Sequence, residues 1–249
     1  MGKLKKVVET IQQYLPESNT AAVILAAGSS KRMVSIDKLF YLINGVPVLA
    51  HTLMAYQKCP LIGEIVVVAK PADYERINAI KIKYGISKLT KFAKGGETRQ
   101  ISARNGVNAL GDNIKYVAIA DGARCLTTPT QIAKVCLSAY NHMAACAAHK
   151  VSDTVKRTTV LANTTETIDR NNLWEMQTPQ VFHSSLYKAA MLKARDNGTA
   201  VTDDASLVEH LGYRVHLVEC GVGNIKLTTL EDLPFAQAVL TYRSRNILE

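Results

Sequence analysis

The chain has 249 residues, 47% of them hydrophobic, and carries 30 Lys and Arg against 21 Asp and Glu, a formal net charge of +9 at pH 7. A chain of this length buries the core of one α/β domain more readily than that of two small ones. No run of about 18 apolar residues offers a membrane span, and the positive balance suits an anionic partner. Five cysteines (Cys59, Cys125, Cys136, Cys146 and Cys220) are scattered without a CxxC or Cys/His spacing. They read as reduced thiols of a cytoplasmic protein, not as a disulfide or metal framework.

Residues 1–20, MGKLKKVVETIQQYLPESNT, read as an N-terminal extension outside the sheet, a short amphipathic helix ending near Pro16. They lack the apolar core and small-residue cleavage site of a secretory signal. Residues 21–249 read as a single domain. It opens with the apolar run Ala21–Ala27, which breaks at Gly28, as a strand buried on both faces does. Asn44-Gly45 signals a turn, and Val46–Lys58 a helix with Pro47 in its first turn. EIVVVAK is a buried strand, Pro71–Tyr84 a helix, Lys88–Lys94 a weaker strand, Thr98–Leu110 a helix and YVAIADGAR a fourth strand. Pro129–His142 is helical and Ala144–Val151 a fifth strand. This alternation predicts a Rossmann-like α/β fold with a mostly parallel sheet covered by helices.

From Ser152 to Val181 the rhythm breaks into threonine-rich, β-prone pieces, read as a hairpin-like β-arm projecting from the sheet over about residues 152–181. An extended arm with little core of its own packs on another subunit, which predicts a homodimer. Helices return at Ser184–Asp196 and Asp203–Leu211, Tyr213–Cys220 is a last strand, and Leu230–Tyr242 is the closing helix.

The polar residues collect where strands end, which is where open α/β sheets bind ligands. After the first strand come Gly28, Ser29, Ser30, Lys31, Arg32 and Lys38, a small-residue loop with cations suited to phosphate. It has neither the Gly-Lys-Ser/Thr ending of a Walker loop nor three spaced glycines. Gly95-Gly96-Glu97-Thr98-Arg99 and Ser102 follow the third strand, Asp121-Gly122-Ala123-Arg124 the fourth, and Asp153-Thr154 the fifth. Asp169-Arg170 and Thr178-Pro179-Gln180 lie in the arm, Thr202-Asp203-Asp204 caps a helix, and Asn224-Ile225-Lys226 follows the last strand.

Taken in order, LAAGSSKRM, GG-x-x-R-x-x-S, D-x-AR, DTVKR, DRNxLW, QTPQVF, TDDAS and GNIKLT resemble the 2-C-methyl-D-erythritol 4-phosphate cytidylyltransferases of the non-mevalonate isoprenoid pathway, over about residues 20–242. The resemblance implies CMP transfer from CTP to a polyol phosphate, with pyrophosphate as leaving group. It assigns Arg32 and Lys38 to stabilising the pentacoordinate α-phosphate, and Arg170 and Lys226 to holding the incoming phosphate in line. The nucleotide falls to Ala26, Ala27, Gly28, Gly96, Glu97, Ser102 and Asp121. The acceptor falls to Asp121, Arg124, Thr154, Arg170, Thr178 and Thr202. Mg²⁺ is implied because triphosphate charge must be offset; with no dense carboxylate cluster, the CTP phosphates would hold it, Asp121 being the candidate protein ligand. The sequence departs from the pattern at Ser30, where a second glycine is common, and in SIDK before Lys38. It departs also at Leu39, Gly122 and Cys125.

Ribitol 5-phosphate is the alternative acceptor, since loop and fold would serve it equally and only the pocket residues Thr154, Arg170, Thr178 and Thr202 separate the two. A glycosyltransferase would want a DxD metal motif, which is absent. From another class, a non-catalytic nucleotide- or nucleic-acid-binding α/β domain has the basic charge as its only support; neither aromatic interleaving nor a nucleic-acid motif accompanies it.

Overall fold

A computed structural model describes residues 19–28 and 37–246 of the chain. The expected N-terminal helix and Arg32 lie outside the described residues. The first strand, β1 (Thr20–Leu25), is apolar from Ala21 onward because neighbours cover it on both edges and both faces. A small hairpin, β2 (Leu42–Ile43) and β3 (Val46–Pro47), turns at Asn44-Gly45 into α1 (Val48–Lys58). Then follow β4 (Ile62–Ala69), a 3₁₀ turn (Pro71–Asp73) leading into α2 (Tyr74–Lys83), β5 (Leu89–Lys94), α3 (Arg99–Asn108) and β6 (Tyr116–Asp121). The chain continues through α4 (Pro129–His142) and β7 (Ala144–Lys150). A hairpin of β8 (Val155–Thr158) and β9 (Thr164–Ile168) leads to β10 (Trp174–His183). The remaining elements are α5 (Ser184–Asp196), α6 (Asp204–Glu209), β11 (His216–Glu219) and α7 (Asp232–Asn246).

Seven strands form one sheet in the order β11-β7-β10-β6-β1-β4-β5. Every neighbouring pair is parallel except those made by β10, which runs antiparallel to both β6 and β7. The period-two alternation of the strands divides the core into two layers. Ala22, Ile24, Ile65 and Val67 face Leu49 and Leu53 of α1, Ile77 of α2, Ile132 of α4 and Ala236 of α7. Val23, Val66, Val68 and Ile119 face Ala103 and Val107 of α3 and, through Phe182, Leu186 and Tyr187 of α5.

The structure corrects the expected arm. Only β8 and β9, which pair with each other alone, project from the sheet, and they are mostly exposed. Trp174–Val181, read as part of the arm, belongs to a central strand that runs to His183 and is buried from Gln177 to Phe182. The last strand is also shorter than the expected Tyr213–Cys220.

Candidate active site

The strand order sets the site. From β1 the chain builds outward to β4 and β5 on one side, then crosses by α3 to β6 on the other, so β1 sits at the switch point of the sheet. Ligands bind in the crevice outside the strand ends at such a point. A cleft of about 450 Å³ lies there, walled by the ends of β1 (Leu25, Ala27, Gly28), β5 (Gly96, Glu97) and β6 (Asp121, Gly122), with Lys38, Arg99 and Lys226 supplying its cations.

Close packing of loops shapes one wall. A Cβ on Gly95 would fall 2.2 Å from the Ala27 Cβ, and one on Gly96 would fall 2.1 Å from Ile101 Cγ2. Those distances exclude any side chain, so the two glycines let the loop after β5 close against the loop after β1 and the first turn of α3. Ser102 clips that loop: its hydroxyl accepts from the Gly96 amide (3.0 Å) and donates to the Thr98 carbonyl (2.9 Å). Its one donor is thus already engaged. The Thr98 hydroxyl caps α3 by accepting from the Ile101 amide. Ala26 does not line the cleft; its amide is taken by the Val68 carbonyl at 2.7 Å.

Asp121 is the hub of the opposite wall. Its carboxylate meets Lys226 Nζ at 3.2 Å, Arg124 Nε at 3.3 Å and Arg99 Nε at 3.6 Å. Burial works against its charge, but Lys226, Arg99 and Arg124 outweigh burial and hold the carboxyl below the usual carboxylate range. Arg99 is turned into the cleft by Asp204, which is 1% exposed and 2.6 Å from its Nη1, and the Tyr187 hydroxyl donates to the same carboxylate at 2.5 Å. Burial opposes the guanidinium charge, yet Asp204 and Asp121 together raise its proton affinity above the usual arginine range. Gln180, on β10, fixes α6 in turn: its carbonyl oxygen accepts from the Asp204 and Ala205 amides, and its Nε2 donates to Asp203.

Behind Asp121 lies a second buried network. Arg124 is not on the cleft surface; its Nη1 donates to the Asn224 carbonyl at 2.6 Å, and burial lowers its proton affinity. The fully buried Asn224 accepts from Thr127 Oγ1 (2.7 Å) and donates to the Thr178 carbonyl (2.9 Å) and Gln177 Oε1 (3.3 Å). The Thr178 hydroxyl accepts from the Asp121 amide at 3.0 Å. The D-x-AR, QTPQ and GNIKLT segments therefore interlock. Leu227 donates its amide to the Ala123 carbonyl (2.9 Å) and lends its own carbonyl to Lys38 Nζ (3.2 Å).

Of the residues expected at the site, the structure gathers Ala27, Gly28, Lys38, Gly96, Glu97, Ser102, Asp121 and Lys226 on the cleft. Arg124 and Thr178 stand behind it, where their polar atoms hold the network that fixes Asp121 and Asn224. Thr154 and Thr202 are exposed and away from the lining, as is Arg170, whose guanidinium donates to the Ser152 carbonyl at the base of the β8–β9 hairpin. Sequence reasoning assigned no role to Arg99, Asp204 or Asn224. Each was quoted inside a motif, but nothing in a single chain distinguishes a buried counter-ion from a helix cap.

Among the described residues no group of three His, Cys, Asp or Glu could hold a metal ion. Mg²⁺ takes one or two carboxylates and fills its octahedron with phosphate oxygens and water. Two carboxylates, Asp121 and Glu97, line the cleft from separate strand ends, and so sparse a set fits a cation held mainly by substrate.

A switch-point cleft with a single-glycine loop, a glycine pair facing it and cations from three separate segments defines a nucleotidyltransferase. The model of the 2-C-methyl-D-erythritol 4-phosphate cytidylyltransferase family matches residues 20–242. The chain belongs to that family, whose enzymes generally use divalent cations. It is similar to the 2-C-methyl-D-erythritol 4-phosphate cytidylyltransferase of Caldanaerobacter subterraneus, at 41% identity over 89% of this chain and 99% of that one. The like-named protein of Syntrophus aciditrophicus is 40% identical over 88% and 94% of the two chains. Among solved structures, 4-diphosphocytidyl-2C-methyl-D-erythritol synthase from Anaerococcus prevotii superposes with a TM-score of 0.79 at 31% identity, covering 89% of this chain and 98% of that one. No helix of the described residues is long and apolar enough to cross a membrane.

Proposed function

We propose that this cleft binds CTP and 2-C-methyl-D-erythritol 4-phosphate and transfers CMP between them. An oxygen of the acceptor's 4-phosphate bonds to the α-phosphorus of CTP as the bond from that phosphorus to the β-phosphate oxygen breaks, giving 4-diphosphocytidyl-2-C-methyl-D-erythritol and pyrophosphate. The observation that carries the reading is the convergence of Lys38, Arg99 and Lys226 on one cleft beside Asp121. The nucleophile is already anionic at neutral pH, so the step needs no general base. The chain's task is to align the reactants and meet charge that builds on oxygen.

Arg32 and Lys38 stabilise the pentacoordinate α-phosphate, the first through a guanidinium fork and the second as a point charge. Cytosine is read by the main chain of Gly96 and Glu97, which Ser102 holds in place, and Asp121 faces the ribose. Lys226 and Arg170 hold the incoming phosphate. Asp121 would be the protein group to hold Mg²⁺, which would supply charge to offset the triphosphate.

Arg170 and Thr154 flank the base of the projecting hairpin and do not line their own cleft. The arm of a second copy therefore supplies them, so that a homodimer carries two composite sites; the exposed Val160 and Leu161 at the hairpin tip support that docking. The five unpaired, buried cysteines suit a cytoplasmic protein; burial pushes the Cys59 and Cys220 thiols up to about 11.

The test is pyrophosphate release from CTP and Mg²⁺ with methylerythritol 4-phosphate and ribitol 5-phosphate in parallel. Release with the first alone supports the reading; release with the second alone moves the acceptor to ribitol phosphate, and silence with both overturns it. Lys38→Ala and Arg32→Ala should each lower kcat at least about a hundredfold, the scale of one lost transition-state donor. Mixing Lys38→Ala with Arg170→Ala should restore up to about a quarter of wild-type activity, because each mixed dimer regains one intact site. A mixture as inactive as its components would refute the shared site.

A further inference from the structure

The turn that carries Lys38 is gripped from outside the cleft. Arg76, on α2, places its guanidinium carbon 3.5 Å from the centroid of the Phe40 ring. Its Nη1 lies 2.9 Å from Asp37 Oδ2 and 3.4 Å from Asp73 Oδ1. Asp37 and Phe40 bracket Lys38 and Leu39, and the bracket is itself a turn: the Phe40 and Tyr41 amides both donate to the Asp37 carbonyl at 3.0 Å. Leu39 is buried and lines the cleft, while its carbonyl accepts from the Leu49 amide at 2.9 Å. Two side chains flanking Lys38 thus end on one guanidinium, and α2, which bears it, contributes no residue to the cleft wall.

A planar guanidinium can stack on a ring and bridge carboxylates at once, which an ammonium cannot. The Arg76 and Asp37 side chains are 49% and 50% exposed, so the ion pair adds little to global stability. Its effect is geometric. A lysine on a four-carbon stem presents its charge accurately only where its backbone is fixed, and small misplacements of a catalytic group are costly. Asp37 belongs to the SIDK segment that departs from the family pattern, and the grip gives that carboxylate a use.

We propose that Arg76 is a positioning residue for CMP transfer, holding the Asp37–Phe40 turn so that the Lys38 ammonium is presented to the phosphates. The proposal rests on the reading that Lys38 stabilises the α-phosphate. Steady-state kinetics of the wild type, Arg76→Ala, Lys38→Ala and the double variant test it. Arg76→Ala should lower kcat about tenfold while KM for CTP stays within about twofold. The double variant should be no slower than Lys38→Ala, because a residue acting through Lys38 has nothing left to position. Wild-type kcat in Arg76→Ala, or losses that multiply in the double variant, would overturn the proposal. Near-normal turnover in Lys38→Ala would overturn the reading of Lys38 itself, an outcome told apart by that single variant. Arg76→Lys, with its charge but not its plane, should recover only part of the loss. If Arg76→Ala fails to fold by circular dichroism, Asp37→Asn replaces it in the same cycle and must show the same non-additivity.

Discussion

Gly106→Ala opposes two effects of known sign, and the structure says which wins. In α3, alanine in place of glycine gains at most about 1 kcal/mol of helix propensity. Against this, a Cβ at position 106 would fall 2.3 Å from Val23 Cγ1 and 2.6 Å from Val68 Cγ2. Both valines are fully buried, on β1 and β4 at the centre of the sheet, so neither methyl has free space to move into. Overpacking of this kind costs about 1–3 kcal/mol, and two contacts well inside van der Waals distance place it at the upper end. The net loss is about 1–2 kcal/mol, a fall in Tm of about 2–8 °C for a domain of this size. The relief of strain would lift α3 off the sheet, and α3 carries the Thr98–Ser102 turn of the cleft, so KM for CTP should rise as well. Thermal unfolding followed by circular dichroism, with CTP saturation kinetics, measures both. Val23→Ala should cost less in the Gly106→Ala background than alone, since it removes one of the clashing methyls. An unchanged or raised Tm for Gly106→Ala would refute the close-packing account.

Two further predictions concern the cleft walls. Ser102→Ala leaves the Gly96 amide without its partner in a part-buried loop, while the Thr98 carbonyl keeps the Ser102 amide, a loss of about 1–3 kcal/mol. It should raise KM for CTP more than it lowers kcat, and an unchanged KM would show that the serine does not shape the nucleotide pocket. Asp121, whose folded-state pKa is depressed by Lys226, Arg99 and Arg124 against the opposing pull of burial, contributes stability that is full above its unfolded pKa of about 3.9 and is lost as pH falls through the lower folded value. Urea midpoints of the wild type and Asp121→Asn should therefore converge below about pH 4, whereas profiles that stay parallel down to acid would contradict the depressed pKa.

The alternating strand–helix half of the fold was legible because its inner parallel strands, β1, β4 and β6, carry runs of small and branched apolar residues that end close to a glycine or proline. What defeated the reading was Trp174–His183. Its buried centre is Gln177, Thr178, Pro179 and Gln180, polar groups satisfied by side-chain bonds to main chain and not by an apolar environment, so it shows no strand periodicity. Pro179 also argues against a central strand, since it cannot donate to a ladder. The structure accommodates it where the β10–β7 pairing shifts register between Met176 and Gln180. The site was half legible for a related reason. Small residues at strand ends announce a cleft, but that Arg124 and Thr178 are buried and brace Asp121 from behind shows only in the fold. Arg99 carries the converse lesson: its position in the cleft depends on Asp204 and Tyr187, more than eighty residues further along the chain.

The cations around the cleft divide by how firmly they are held, and that division suits the reaction. Arg124 is enclosed, with its guanidinium bound to two main-chain carbonyls and to Asp121. Arg99 is fixed by a carboxylate that is itself fixed by a tyrosine and by the glutamine-bound start of α6. Lys226, by contrast, reaches Asp121 from a side chain 36% exposed. A lysine that leaves a buried carboxylate would ordinarily strand an uncompensated charge. Here Arg99 and Arg124 remain on Asp121, so Lys226 can move to an arriving phosphate at little electrostatic cost while the carboxylate stays ionised. In the proposed reaction the rigid guanidiniums hold the field of the cleft, and the lysines, on flexible stems, are left to follow charge as it moves from the acceptor's phosphate to the departing pyrophosphate.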